Sequence, residues 1–301
     1  MSTGVGPLWR IDGPPPLAPQ FGLLQSARSP VVRIIPDADE RGIERWINGV
    51  EVYPYPADPA FVFDSCAVHG EDPPTKEFGE TAPLTQYDAL TVYLAETCTS
   101  SRVPDQEAFK ARAVAALSAV EGAAVEREFQ SGDVFAGNPH LSDGNGTFPN
   151  DDTATSVVDG FAILENEIAS SGKQGIIHCS PGMAMAAVGG PFMIEEKQGV
   201  LRTINGTLVV PGYGYAAGSD PAGHSGAAGT EEWVYASGPV DIRQSNMFTT
   251  PETVAEALDR GSEMPNAITY RVERYFLPSW DTTLQSAVLI DRCLTTCEAP
   301  T

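Results

Sequence analysis

The stretch ALSAVEGAAVEREFQSG, residues 116–132, carries three carboxylates, Glu121, Glu126 and Glu128. Its composition is helix-forming. Carboxylates on a helix can hold a metal ion or run acid–base chemistry, and they can equally be the wet side of a structural rod. Glu121 and Glu128 lie seven residues apart, so they share a face, with Arg127 beside them. A carboxylate metal centre in a helical bundle also draws on an E-x-x-H pair from facing helices. This helix has no histidine, and the chain has no E-x-x-H. The spacing therefore favours an amphipathic rod whose glutamates face solvent or a neighbouring subunit.

The remaining reactive residues are scattered. His69, His140, His178 and His224 lie in different segments, and no H-x-x-x-H or H-E-x-x-H occurs. His178 and Cys179 are adjacent in GIIHCS, a short buried strand by its apolar run. Neighbours on a strand point to opposite faces, so they form no dyad. GHSGAAG (223–229) departs from a nucleophile elbow because Ala227 stands where the second glycine belongs. GYGYAAG lacks the third glycine of a dinucleotide fingerprint and opens no helix, and there is no phosphate-binding P-loop. Asn145-Gly146-Thr147 and Asn205-Gly206-Thr207 read as turns. The five cysteines (Cys66, Cys98, Cys179, Cys293, Cys297) are odd in number and form no C-x-x-C, which favours free thiols over a disulfide framework or a zinc site. No catalytic, cofactor or metal site is expected. An acidic hydrolase drawing on two of Asp64, Glu71, Glu121 and Asp281 is the enzymatic rival, a weak one because forty acidic residues make such pairs easy to find.

The elements that position these residues follow from composition and periodicity. With 301 residues, 42% of them hydrophobic, the chain can bury a core of one large or two ordinary domains. Eighteen basic against 40 acidic residues leave a net charge of −22, which repels nucleic acid and anionic membrane surfaces. No apolar run is long enough to cross a membrane. MSTGVGPLWRIDGPPP lacks a basic region followed by an apolar one, so we expect no secretory signal and a soluble protein made in the cytoplasm. Residues 1–45 are proline-rich and extended, with apolar pieces (FGLL, VVRII) that suit an arm lying on a neighbour. Asn48-Gly49 signals a hairpin. A segment rich in Pro, Asp and Gly follows to Pro83 and reads as a long protruding loop. TQYDALTVYLAETC (85–98) reads as one strand. The long helix spans Asp105–Ser131, with a stripe of Phe109, Ala113, Leu117, Val120, Ala124 and Phe129, and Gly132 stops it. A second helix is expected over 153–170, a short one over SPGMAMAAVGG, and another near 251–260. LRTI-NG-TLVV reads as a hairpin, residues 212–230 as a glycine-rich loop, and EWVYAS, PVDIRQS, ITYRVERYFL and SAVLIDRCL as strands. The class is α+β without regular βαβ alternation.

In this order the elements are a proline-rich arm, a long loop, a strand, one long helix ending in E-F-x-x-G, then DGFAILENEI, GIIHCSPGMAMAA, L-R-T-I-x-G-T-L-V-V, W-x-Y-A-S-G-P-V and R-V-E-R-Y-F…A-V-L-I. The chain thereby resembles the major capsid proteins of tailed phages, the Hong Kong 97-like fold shared with encapsulin shells. The resemblance implies an N-terminal arm (1–45), an extended loop (46–84), a peripheral domain (85–152) with a spine helix (105–131), an axial domain (153–265), and a return to the peripheral domain with a C-terminal tail (266–301). It implies subunit-interface candidates Trp46, Tyr53, Phe61, Phe63 and Phe129. It also implies a homo-oligomer of hexamers and pentamers in an icosahedral shell that encloses DNA without reading its sequence. Scaffolding, portal and decoration proteins would be its partners, and it would be assembled in the host cytoplasm and located in the virion. Two departures stand out. The N-terminus carries no charged helical extension, so a scaffold would be a separate protein. Some members cross-link a lysine to a neighbour's asparagine, but nothing in its surroundings marks Lys76 for that role. An encapsulin compartment and another virion part, tail or decoration, are the alternatives. The long helix weighs against the second, and an N-terminal arm in place of a cargo-binding helix weighs against the first.

Overall fold

The computed structural model describes residues 14, 16–36, 42–54, 84–98, 106–189, 193–196, 200–215, 220–251 and 268–294, and among these it has three α-helices, two short 3-10 helices and thirteen strands. The first 13 residues, most of the expected loop 46–84 and nearly all of the helix expected near 251–260 lie outside the described residues. The chain divides into two compact units. One comprises Met1–Ala18, Tyr93–Val120 and Phe248–Glu273, and the other Pro19–Val92, Glu121–Met247 and Arg274–Thr301.

Helix α1 runs over Gln106–Ser131, and Gly132 ends it in the left-handed region at φ 63°. Glycine adopts that conformation without a Cβ penalty. The Gly132 amide still donates to Glu128 O, while Leu141 N and Ser142 N donate to the Phe129 and Gln130 carbonyls, so the helix's last carbonyls are satisfied. The buried stripe of α1 runs Ala113, Leu117, Glu121, Val125 and Phe129. The expected stripe was drawn through Val120 and Ala124 instead, and Val120 is exposed.

Helix α2 (Val157–Ser170) begins at Ser156, whose hydroxyl accepts from the Asp159 amide. It buries Phe161, Leu164 and Ile168, one face at helical spacing. That face packs on a six-stranded sheet of β13 (Gln285–Asp291), β9 (Glu231–Ser237), β5 (Ile176–Cys179), β8 (Leu208–Pro211), β7 (Val200–Thr203) and β6 (Met193–Glu196), in that order. β5 and β8 pair in parallel, and the other neighbours are antiparallel. β5 and β8 are buried along their whole length, as suits strands covered on both faces. Gly160 lets α2 lie close to β13, since a Cβ there would meet Ile290 Cδ1 at 2.4 Å. The short helix α3 (Pro181–Val188) starts with Ser180 as N-cap and proline in its first turn.

A second sheet contains β1 (Val32–Pro36), β10 (Val240–Gln244), β12 (Ile268–Trp280) and β11 (Phe248–Thr250), and β4 (Leu90–Cys98) also pairs with β12. A third, two-stranded ladder joins β2 (Val50–Val52) to β3 (Thr85–Tyr87).

Three local expectations change. Residues 32–36, expected in an arm lying on a neighbour, form β1, parallel to β10 with Arg33 opposite Asp241 and ion-paired to it. Leu23, Val31 and Val32 are buried, so the apolar pieces of this stretch are consumed by the chain itself. Asn48-Gly49 does turn, with Gly49 at φ 93°, but it closes no hairpin, because β2 pairs across the sequence with β3. The single strand expected over 85–98 is broken after Tyr87. There Asn138 takes the Asp88 amide on its side-chain oxygen and donates back to the Asp88 carbonyl, diverting both groups from a ladder.

Candidate functional site

Glu121, Glu126 and Glu128 of α1 are neither solvated nor gathered around a metal. Glu121 is 6% exposed, Glu126 2% and Glu128 3%. The expectation that they face solvent or a neighbour is therefore corrected, and the reason is that each finds its own donors inside the chain. Glu121 is ion-paired to Arg274 at 2.8 Å. Burial raises its pKa, partly offset by the guanidinium. Glu128 folds back on the chain that follows the helix and accepts from Val134 N at 2.7 Å and Phe135 N at 3.0 Å.

Glu126 reaches furthest. Its Oε1 accepts from Leu23 N at 2.7 Å and its Oε2 from Gly214 N at 2.8 Å. The Tyr213 amide also bonds to this carboxylate. Glycines make the approach possible. A Cβ on Gly214 would meet Ala123 O at 2.2 Å, one on Gly212 would lie 2.7 Å from Glu126 Cδ, and one on Gly22 would lie 2.5 Å from Glu126 Oε1. Burial pushes the pKa of Glu126 up to about 7, against the three amides that hold it down.

Beside this clamp lies a buried polar chain. His178 sits between Tyr215 Oη and Ser237 Oγ, each 2.8 Å from a ring nitrogen, and its ring is 5.2 Å from that of Phe129. Burial depresses its pKa to about 3, so it is a neutral core imidazole. Cys179 is buried, and its thiol is pushed well up by burial and by Glu232. Glu232 accepts from Ser180 N at 2.7 Å and Ser180 Oγ at 2.6 Å, fixing the residue that caps α3.

The other sequence candidates are dispersed. Asp281 pairs with Lys173 at 2.8 Å and no contact joins it to Glu121, while Asp64 and Glu71 lie outside the described residues. Ser225, in the elbow-like stretch, donates to Asp152 Oδ2, and His224 Nδ1 lies 2.8 Å from Asp152 Oδ1, stacked on Phe148. His140 lies near Gln130 O and Ser142 Oγ. His69, Cys66, Lys76, Phe61 and Phe63 lie outside the described residues. A groove of about 450 Å³ lies between the end of α2 and the β7–β8 hairpin. Its charged side chains are tied down: Lys173 by Asp281, Arg202 by Gly206 O and Ser29, Glu165 by Thr203 and Thr207. Among the described residues no cluster of His, Cys, Asp or Glu is arranged to hold a metal ion, and no helix is long and apolar enough to cross a membrane.

Of the interface candidates, Trp46 is 1% exposed and Phe129 2%, so both rings belong to the chain's own core and are corrected as contact residues. Phe129 packs edge-on against Trp280 at 5.7 Å. Tyr53, at the base of the expected loop, is 65% exposed. The sequence reading missed Glu232, Arg274 and the glycines around Glu126. Only the glycine-rich run 212–214 carried a signal, and it was read as flexibility.

The nearest comparisons are with solved structures. The capsid of a native GTA particle, computed with C5 symmetry, aligns over 96% of this chain and 96% of its own, with TM-score 0.53 and 11% identity. The chain has this capsid fold. The capsid of the empty GTA particle gives TM-score 0.52 over 95% of both chains at 13% identity. A structure from Mycobacterium phage Che8 gives 0.50 over 98% of this chain and 100% of its own at 12% identity. The α+β capsid fold implied by the sequence resemblance is the one observed. No protein-family model matches the sequence, and no curated protein does.

Proposed function

We propose that the protein is the major capsid subunit of a tailed phage, assembling with copies of itself into the icosahedral head shell that encloses the genome. The observation that carries this reading is the match to a GTA capsid over 96% of each chain. The site geometry agrees with a structural role, because the buried carboxylates and the histidine are each occupied in holding backbone or side chains together. Hexamers and pentamers are the expected building units, and the neighbour's C5 symmetry fits a pentamer.

The β2–β3 ladder supports the extended-loop reading. It places Val50–Val52 against Thr85–Tyr87, so the intervening chain leaves and returns at one place. A segment with neighbouring ends is suited to reach a neighbouring subunit while its base stays fixed. Helix α1, 26 residues long, has the length of a spine helix. The net charge of −22 suits a shell that encloses DNA without adhering to it.

Electron microscopy of the full chain, expressed alone and with its genomic neighbours, tests the proposal. Closed particles, or rings of five and six, are expected. A persistent small monomer in both preparations overturns it. Particles that co-purify with an enzyme cargo and no DNA would reassign the shell to a compartment.

A further inference from the structure

We propose that Asn145 is a site of spontaneous chemical modification, converting to aspartate and isoaspartate with loss of ammonia, while the fold protects the chain's other two Asn-Gly pairs. This goes beyond the assembly reading and concerns the single chain.

Asparagine is a thermolabile residue, and a following glycine offers the least steric resistance because it has no Cβ. The backbone nitrogen of the glycine attacks the side-chain amide carbon of the asparagine. A bond forms between that nitrogen and Cγ, the Cγ–Nδ2 bond breaks, and the displaced backbone proton leaves with the side-chain nitrogen as ammonia. Water then opens the cyclic imide at either carbonyl. One product is aspartate, and the other is isoaspartate, whose main chain runs through the former side chain. One water is consumed and one ammonia released. The attacking nitrogen must give up its proton, so an N–H held in a hydrogen bond is protected until that bond opens.

The chain has three such pairs, Asn48-Gly49, Asn145-Gly146 and Asn205-Gly206. All three asparagines are exposed, so exposure does not separate them. The glycine amides do. Gly49 N donates to Trp46 O at 3.0 Å, and Gly206 N donates to Thr203 O at 2.9 Å. The second of these turns is fastened again by Arg202, whose Nη1 donates to Gly206 O at 2.7 Å. Among the described residues nothing accepts from Gly146 N. The amides on either side of it are taken, Asn145 N by Asp143 Oδ1 at 2.9 Å and Thr147 N by Gln285 O at 2.9 Å.

The two products act differently on this segment. Aspartate adds a negative charge two residues from Asp143, which also accepts from Gln285 Nε2. Isoaspartate adds a methylene to the main chain just before Gly146, where a Cβ would already meet Gln285 Cγ at 2.8 Å. It should therefore dislodge Thr147, which donates to Gln285 O and accepts from Ala287 N on β13.

Incubation of the full chain in mildly alkaline buffer made with heavy-oxygen water, followed by peptide mapping over time, tests the assignment, since each converted site takes up oxygen from the water. A parallel sample in denaturant gives the rate of each pair without the fold. There the three should convert at similar rates. In the folded chain Asn145 should lead Asn48 and Asn205 by roughly threefold to tenfold, the protection that one amide hydrogen bond gives. Hydrogen exchange at Ala287 should rise in the isoaspartate fraction. Asn48 or Asn205 keeping pace with Asn145 in the folded chain overturns the proposal. So does an Asn145 that stays intact in the folded chain while the denatured chain converts. A lead for Asn145 that is as large in denaturant also overturns it, because local sequence rather than the fold would then set the order.

Discussion

At the residue scale, the fold depends on atoms that only glycine can spare. A methyl on Gly214 would sit 2.2 Å from Ala123 O and 2.7 Å from Arg127 N, both backbone atoms of a helix that cannot yield. Gly214→Ala should therefore destabilise by about 1–3 kcal/mol or more. Gly137→Ala, with nothing within 4 Å of its Cβ, should stay within about 0.5 kcal/mol. Thermal unfolding of the pair checks this, and equal midpoints would refute the close approach. His178 offers a pH test. Its folded pKa of about 3 lies below the ordinary value of 6.5, so the stability it contributes is present above 6.5 and lost as pH falls toward 3. His178→Leu leaves Tyr215 Oη and Ser237 Oγ without their partner. It should cost about 2–5 kcal/mol at pH 7 while flattening the acid limb, as denaturant titrations at pH 4, 5.5 and 7 would show. A variant whose stability falls with acid as steeply as the wild type would reject the neutral-imidazole assignment. The opposition of His178 and its sequence neighbour Cys179 was readable from strand alternation. The burial of Glu121 and Glu126 was not, because their donors come from Arg274, Leu23 and Gly214, far along the chain, while Glu128 is held by the Val134 and Phe135 amides just past the helix. Spacing alone could only place them on the side of a helix.

At the element scale, signals written in adjacent residues were legible. Gly132 marks the end of α1 at positive φ, and Asn205-Gly206 turns β7 into β8 with Gly206 at φ 90°. The apolar runs at 176–179, 231–237 and 285–291 are buried strands. Elements whose form depends on a distant partner were not. Asn48-Gly49 carries the same dipeptide as the true hairpin but makes only a turn, because Val50–Val52 pairs with a strand 35 residues further on in register. Ser156 is a local signal with a measurable worth: its hydroxyl accepts the Asp159 amide and donates to the Asp159 carboxylate. Ser156→Ala should cost about 1 kcal/mol. Ser156→Thr, which keeps both the acceptor and the donor at the same place, should recover most of it. Chemical denaturation of both variants is the check, and two equally unstable variants would show that the serine acts by packing rather than by capping.

At the scale of the whole molecule, charge governs how copies meet. Each chain carries −22, and the proposed shell would bring many such chains into contact. Like-charged copies repel at long range, and the repulsion shrinks with the Debye length, from about 10 Å at 0.1 M salt to about 3 Å at 1 M. Among the described residues, four cations pair with acids distant in sequence: Arg33 with Asp241, Arg112 with Glu96, Lys173 with Asp281, Arg274 with Glu121. With 18 basic against 40 acidic residues, each copy has few cations to set against its neighbour's acids, so attraction between copies is expected to rest mainly on apolar contact and backbone pairing. Exposed apolar side chains such as Tyr53, Tyr93, Met185 and Tyr213 are available for that contact. Added sodium chloride should then promote assembly, because it weakens the repulsion and leaves apolar contact intact. Light scattering and sedimentation of the purified chain between 0.05 and 1 M salt, at about pH 7, should show the critical concentration for particle formation falling as salt rises. If particles instead dissociate with salt, ion pairs between copies hold the shell, and the residues to seek are cations outside the four pairs above. If salt has no effect in either direction, electrostatic repulsion is not what limits association of the chains.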